Sequence, residues 1–395
     1  MRKNYVAEAS RLADFTAETL SRIVKIKSLS CGEEHVIREL KDILEASGVC
    51  NCKIDGLGNL VACMGHGPRI IAIDAHIDTV DTGNLCQWNW DPFSGEITDS
   101  QVRGRGTTDQ KGGAASMVTA ARMLAEVEDE LPFKMVFTFT VMEEDCDGLC
   151  WDYMIEKEGL IPDFAVITEP TNLALYRGHR GRMEMEILIK GISAHGSAPE
   201  RGVNAAYIAS KIALDIEKLN ERLATDNFLG KGTVAVTQIR SESPSLCAVP
   251  DICRMHLDRR ITWGETKKSA LSEVSELLPK EASVEVPLYN KKSYTGVSHP
   301  ILAYFPSWKT PIDHPLTKGG ISAASVVLGH LPIVDKWVFS TNGVSIAGRH
   351  GIPTIGFGPG NETAAHAPNE TTSREHLNIA AAFYAELPFH LTKEL

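Results

Sequence analysis

Apolar positions at helical spacing open the chain. Leu12, Phe15, Leu20, Ile23, Val24 and Ile26 predict an amphipathic helix over residues 11–28. A second helix is predicted over 33–46, stopping before Gly48, and residues 50–63 read as two short strands around a turn at 56–59. The pattern then shifts to apolar runs without alternation, at 70–77, 134–142, 164–168 and, much later, 353–357. An Ala- and Met-rich helix at 112–126 separates the first two. Runs of this kind suit strands buried on both faces, so a mixed or parallel central sheet covered by helices is expected, an α/β fold.

From about Arg177 the pattern changes again. Strands at 183–189, 233–239, 252–260 and 283–288, with helices at 204–223 and 267–278, give the order β-α-β-β-α-β, the ferredoxin-like signature. Helices at 321–330 and 373–387 and the strand at 353–357 then resume the first pattern. The expected division is a first domain made of residues 1–177 and 294–395, with residues 178–293 inserted as a second.

Composition fits this division. A chain of 395 residues is long for a single core. The net charge of -11, without a long run of one sign, argues against a nucleic-acid footprint. The N-terminus lacks the apolar core of a signal peptide. No run approaches the roughly 18 apolar residues of a membrane span. Nine cysteines, an odd number without framework or CxxC spacing, predict reduced thiols in a cytoplasmic protein.

The chemistry gathers where the apolar runs end. The 70–77 run leads into DAHIDTV, with His76 and Asp78 two residues apart. In an extended segment those side chains share a side, so the carboxylate can steady one imidazole nitrogen and leave the other free for a metal. The 134–142 run is followed by Glu143 and Glu144, the 164–168 run by Glu169 and Pro170, and the 353–357 run leads through a Gly-rich loop to His366. Asp109 joins them, ahead of the 112–126 helix, as a helix cap or as a ligand. The glycines around it (Gly104, Gly106, Gly112, Gly113) permit close approach to something bound. Ligands in open α/β sheets bind at the carboxyl ends of strands, and these residues collect there. Two imidazoles and three carboxylates without thiolate suit zinc, with cobalt or manganese as substitutes. Five ligands point to two metals sharing a carboxylate, about 3.5–4 Å apart. Of the adjacent Glu143 and Glu144, one can ligate while the other serves as general base.

These motifs resemble the M20 family of metallopeptidases and amidohydrolases. DAHIDTV, GRGTTDQKGG, EED, TEP and HAPNE carry the likeness in that order, over nearly the whole chain. EEDCDGLCW, YRGHRGRME, SAHGSAPERG and DRRITWGE are similar to the YgeY hydrolase subgroup. The resemblance implies a zinc-peptidase-like catalytic domain and an inserted lid and dimerisation domain. It implies His76 and Glu169 on one zinc, Glu144 and His366 on the other, and Asp109 bridging, with a cis peptide at Asp109–Gln110. Asp78 would orient His76, and Glu143 would take a proton from water and pass it to the leaving amine. His195 would reach the active site of a partner subunit in a homodimer and stabilise the oxyanion. Arg260 would grip a substrate carboxylate, with Arg259 facing away.

The chain departs from the family pattern at two places expected near substrate. Cys247 stands where an Asn is common, and Ser340, Thr341, Asn342 and Gly343 replace a Gly-Gly-Thr-Asp-like turn. The reading is therefore an amide-bond hydrolase of a small N-acyl amino acid or dipeptide-like substrate. An N-carbamoyl (ureido) amidohydrolase is the alternative, and a non-catalytic metal-dependent binding protein a further one. A cysteine hydrolase using Cys146 or Cys150 is disfavoured, because the acids around them raise a thiol's pKa.

Overall fold

The computed structural model describes residues 3–395. Its larger sheet has eight strands in the order Asn51–Ile54, Leu60–Met64, Lys134–Thr140, Ile70–His76, Phe164–Ile167, Thr354–Gly356, Leu175–Tyr176 and Val334–Asp335. Ile70–His76 lies parallel to both its neighbours, Lys134–Thr140 and Phe164–Ile167, and Thr354–Gly356 is parallel to the latter. The first two strands are antiparallel, so the sheet is mixed. In Ile70–His76 and Lys134–Thr140 every residue after the first is buried. Successive residues point to opposite faces, so both faces are covered, as runs without alternation require. Helices Lys111–Ala125 and Pro315–Leu328 pack on this sheet, and Arg374–Leu391 packs against both helices.

A five-stranded antiparallel sheet is built from Gly181–Lys190, Thr233–Glu242, Ile252–Ile261, Ala282–Glu285 and the short Tyr304–Phe305. With helices Ala205–Arg222 and Lys267–Ser275 it follows the β-α-β-β-α-β order. Its apolar face makes a separate core, including Met183, Ile187, Ile212, Ile216 and Leu257. Gly181–Lys190 alternates buried with exposed or half-exposed positions, so its other face is polar.

Some elements differ from those the sequence predicts. The first helix begins earlier, at Tyr5, where the Asn4 side chain accepts the Ala7 N–H at 3.1 Å; it breaks at Leu12 and resumes as Ala13–Val24. The helix expected at 321–330 starts at Pro315, the favoured first helical position of proline, and stops at a left-handed Gly329. Gly319 and Gly320 weaken its helical signal; a Cβ on Gly319 would lie 2.9 Å from the Leu391 backbone, so close helix packing requires the residue. A wide helical turn at Val344–Arg349 has no apolar period to announce it.

Candidate active site

Three adjacent parallel strands deliver the acids and a histidine to one edge. His76 is the last residue of its strand, Glu143 and Glu144 follow Lys134–Thr140, and Glu169 follows Phe164–Ile167. Glu143 and Glu144 both face the cluster, because Met142 adopts φ +65° and breaks the alternation of the strand. Asp109 precedes the Lys111–Ala125 helix across a cis bond to Gln110, and His366 comes from the loop after Thr354–Gly356.

Asp109 faces both histidines. Its Oδ1 is 3.1 Å from His76 Nε2 and its Oδ2 is 3.2 Å from His366 Nε2. On one side, His76 Nε2 is also 3.4 Å from Glu169 Oε1 and 3.8 Å from Glu143 Oε2. On the other, His366 Nε2 is 2.9 Å from Glu144 Oε2. His76, Asp109, Glu143 and Glu169 are buried, whereas the His366 side chain is 54% exposed and marks the open side.

Crowding shifts these groups strongly. Burial first, and the Asp109 charge second, push Glu144 up to about 7 and Glu169 to about 8. Glu143 is also raised, by burial and then by Asp147 and Glu169 against the opposing pull of His76. The hydrogen bonds with Asp109 and Glu144 raise His366 to about 10. The cluster fits divalent cations: the His76 imidazole converges within ligand reach of Asp109 and Glu144 oxygens and of Glu143 and Glu169 oxygens, and a cation between them relieves the repulsion. Glu143 Oε1 and Glu169 Oε2 are buried without any hydrogen-bond partner, which a ligand or water would supply.

Asp78 sits directly against His76. His76 Nδ1 is 3.0 Å from the Asp78 backbone carbonyl and 3.5 Å from its carboxylate. A donated Nδ1–H leaves Nε2 as the free nitrogen. The carboxylate also accepts the N–H groups of Glu143 and Glu144 and, at 2.6 Å, the Ser30 hydroxyl.

The pattern of acids and histidines at strand ends did not reveal Glu370, Arg105 and Glu33. Glu370 Oε1 accepts the Thr108 and Asp109 N–H groups at 2.8 and 3.0 Å, and Oε2 accepts Gly106 N–H at 2.9 Å. Arg105 donates to Glu370 Oε2 at 2.7 Å and to the carbonyls of His366 and Ala367 at 3.3 and 3.2 Å. This buried pair ties the Asp109 loop to the His366 loop. Glu33 Oε1 accepts the Met142 N–H at 3.0 Å and so supports the left-handed turn before Glu143. The available signal was position: Glu370 closes HAPNE and Arg105 is the second residue of GRGTTDQKGG.

The glycines flanking Asp109 serve internal packing rather than a bound group. A Cβ on Gly113 would lie 2.2 Å from Thr168 Oγ1, and one on Gly106, at φ +85°, 2.7 Å from Thr79 Cγ2.

The cluster opens into a cavity of about 330 Å³. Beyond the acids and His366, it is lined by Asp147, Arg182, Arg260, Phe339, Ser340 and Glu362. Arg260 is thus at the pocket, while Arg259 is buried and pairs with Glu265 and Glu273. Thr341 and Asn342, expected against substrate, are buried beneath it instead. Asn342 donates to Asp74 at 2.8 Å and accepts the Gly148 N–H at 2.9 Å, and Thr341 Oγ1 lies 3.0 Å from His179 Nε2. His195 and Cys247 are exposed on adjoining loops, where Gly196 N–H donates to the Cys247 carbonyl at 2.7 Å. Neither lines the pocket. All nine cysteines are free, with Cys146 and Cys150 buried and their thiols raised by burial. No helix among the described residues is long and apolar enough to cross a membrane.

The chain is 49% identical over 389 residues to the uncharacterized protein YgeY of Escherichia coli K12, covering 98% of this chain and 95% of that relative. It is 29% identical to the acetylornithine deacetylase of Klebsiella pneumoniae 342, over 84% of this chain and 83% of the enzyme. Among solved structures, Bacillus subtilis YXEP, described as a dinuclear metal binding peptidase of the M20 family, superposes with a TM-score of 0.72 at 16% identity, covering 98% of this chain and 100% of that one. The model of peptidase family M20/M25/M40 matches residues 72–390, and with most of its length inside that match the chain belongs to this family of metal-dependent peptidases and amidohydrolases.

Proposed function

We propose that the protein hydrolyses a C–N amide bond in a small N-acyl amino acid or dipeptide-like substrate, with two divalent ions, zinc in the first instance, held at the sheet edge. The observation that carries this reading is Asp109, whose two oxygens face His76 and His366 separately. His76 and Glu169 would hold one ion, Glu144 and His366 the other, and Asp109 both. When bound, such ions supply Lewis-acid polarisation of the carbonyl oxygen and acidify water.

Glu143 is the proton carrier. It lines the pocket, its Oε1 is buried and unpartnered, and in this reading it takes a proton from the attacking water. The water oxygen bonds to the carbonyl carbon, the C–N bond breaks, and Glu143 returns the proton to the leaving nitrogen. Asp78 fixes the backbone of Glu143 and Glu144 while its carbonyl sets the His76 tautomer. Arg260, at the pocket wall, takes a substrate carboxylate. Residues 178–293 act as a lid, and a homodimer would bring the exposed loop carrying His195 to the partner's pocket as an oxyanion donor.

The test is metal analysis joined to a screen of N-acyl, N-carbamoyl and dipeptide substrates, with and without chelator. Chelator-sensitive release of an amine from an N-acyl or dipeptide substrate is expected. Release of carbamate products alone would move the substrate to the ureido class. Tight metal binding with no turnover of any of the three would leave a binding protein.

A further inference from the structure

Arg182 and Arg260 are cross-strand partners. Gly181–Lys190 pairs antiparallel with Ile252–Ile261, and the register sets these two residues directly opposite each other. Directly opposed residues project to the same face, with Cβ atoms about 4.5–5.5 Å apart, and like charges so placed repel. Both line the candidate active-site cavity. Arg180, two residues earlier, donates to the Lys231 carbonyl at 2.8 Å and does not line the cavity; burial, and after it the Arg260 charge, lower its pKa.

Carboxylates hold the arginines in place, and each guanidinium keeps N–H protons that these pairs do not use. Asp258 receives Arg260 Nε and Nη2 at 2.8 and 3.0 Å, which leaves Nη1 without a hydrogen bond among the described residues. Arg182 gives Nη1 to Glu184 at 3.1 Å and Nη2 to Asp147 at 3.2 Å, and stacks over Phe305 at 4.7 Å. Its Nε is buried with no partner. Asp147 is 7% exposed, and its second oxygen is also buried and unpartnered. The local charge is therefore close to balanced, and what the corner offers an anion is directed N–H groups from two fixed forks.

We propose that Arg182 and Arg260 form one anion subsite, and that the substrate carries a carboxylate, remote from its scissile bond, held between the two guanidiniums. The family resemblance implies this task for Arg260 alone; the strand register adds Arg182 as a specificity-determining residue and Asp147 as the residue that positions it. The inference rests on the hydrolase reading only for the statement that this cavity receives the substrate.

The experiment is calorimetric titration of the metal-loaded protein with glutarate and with its half-amide, glutaramate. Each presents one carboxylate to the metals, and they differ in the group at the far end. Wild type is expected to bind glutarate about tenfold or more tightly than glutaramate, the effect of charge-assisted hydrogen bonds at a fork. Arg182→Met is expected to cut that preference about fivefold with metal content unchanged, at a lower melting temperature because Asp147 loses its partner. Arg182→Lys, which keeps the ion pair with Asp147 but not the fork, carries the same expectation should the Met variant fold poorly. Equal binding of the two ligands by wild type overturns the proposal, as does a full preference in a folded variant. If wild type turns over no amide while the preference and its loss persist, the subsite stands and the hydrolase reading falls. Turnover that ignores the remote charge does the reverse.

Discussion

The carboxylate of Asp78 accepts the backbone N–H of Glu143 through Oδ1 at 3.2 Å. Its Oδ2 accepts that of Glu144 at 3.1 Å. The residue two positions past His76 is therefore a staple across the sheet edge, joining the strand that ends in His76 to the loop that carries both acids. Removing it would leave the buried Glu143 N–H unpaired, at about 1–3 kcal/mol, and the part-buried Glu144 N–H with it. Asp78→Ala is expected to lower metal affinity about 10–100-fold and turnover with it. Metal titration beside steady-state kinetics measures both. Wild-type affinity combined with lost turnover would confine Asp78 to Glu143.

Glu143 makes the complementary case. It lines the pocket and is held near His76, but the two-ion assignment places it on neither ion. Glu143→Ala is expected to retain both metal equivalents and to lose about 10²–10⁴ in turnover, the usual worth of a positioned proton carrier. Elemental analysis and product release on the same sample decide it. Retained turnover would transfer the proton to another group.

Much of this was legible in the sequence because it follows strand ends. Apolar runs announce buried strands, and in a parallel sheet whatever follows such a strand lies at the ligand edge. His76, Glu143, Glu144 and Glu169 all obey that rule. The parts that were not legible depend on backbone groups, which carry no residue identity. Nothing in DAHIDTV says that the Asp78 carboxylate reaches an N–H 65 residues further on. Nothing in the 340–343 turn says that Ser340 lines the pocket while Asn342 turns down to Asp74. The glycines around Asp109 misled for the same reason: a close approach was correctly indicated, but its partner is the protein itself.

Glu370 and Arg105 show what that hidden layer does. Glu370 collects three N–H groups and the Arg105 guanidinium, and both side chains are almost fully buried. Breaking a buried pair of this kind costs about 3–5 kcal/mol. Glu370→Gln is expected to lower the melting temperature and to weaken metal binding through Asp109 and His366 together. His366→Ala, at a half-exposed side chain, is expected to lose one metal equivalent at nearly unchanged melting temperature. Calorimetric scans and metal stoichiometry on the two variants separate a scaffold from a ligand. Identical behaviour would erase that distinction.

His179 gives the fold a pH dependence away from the metal cluster. Its Nε2 accepts the indole N–H of Trp308 at 2.7 Å and the Thr341 N–H at 3.2 Å, while Nδ1–H donates to the Arg180 carbonyl at 2.8 Å. A second ring proton would face two donors, and burial pushes the pKa down to about 4. The unfolded chain, with a histidine pKa of about 6.5, takes up that proton first as pH falls. The stabilising contribution is thus fully present above about pH 6.5 and is lost towards pH 4, reaching about 3 kcal/mol at the lower limit. His179→Gln keeps an acceptor for Trp308 and removes the titration. Its melting temperature is expected to fall less than that of wild type between about pH 6.5 and 4.5, measured in parallel scans. The metal cluster titrates equally in both proteins and cancels in the difference. Parallel curves would mean that the ring admits its proton without disturbing Trp308 or the Thr341 turn beneath the pocket.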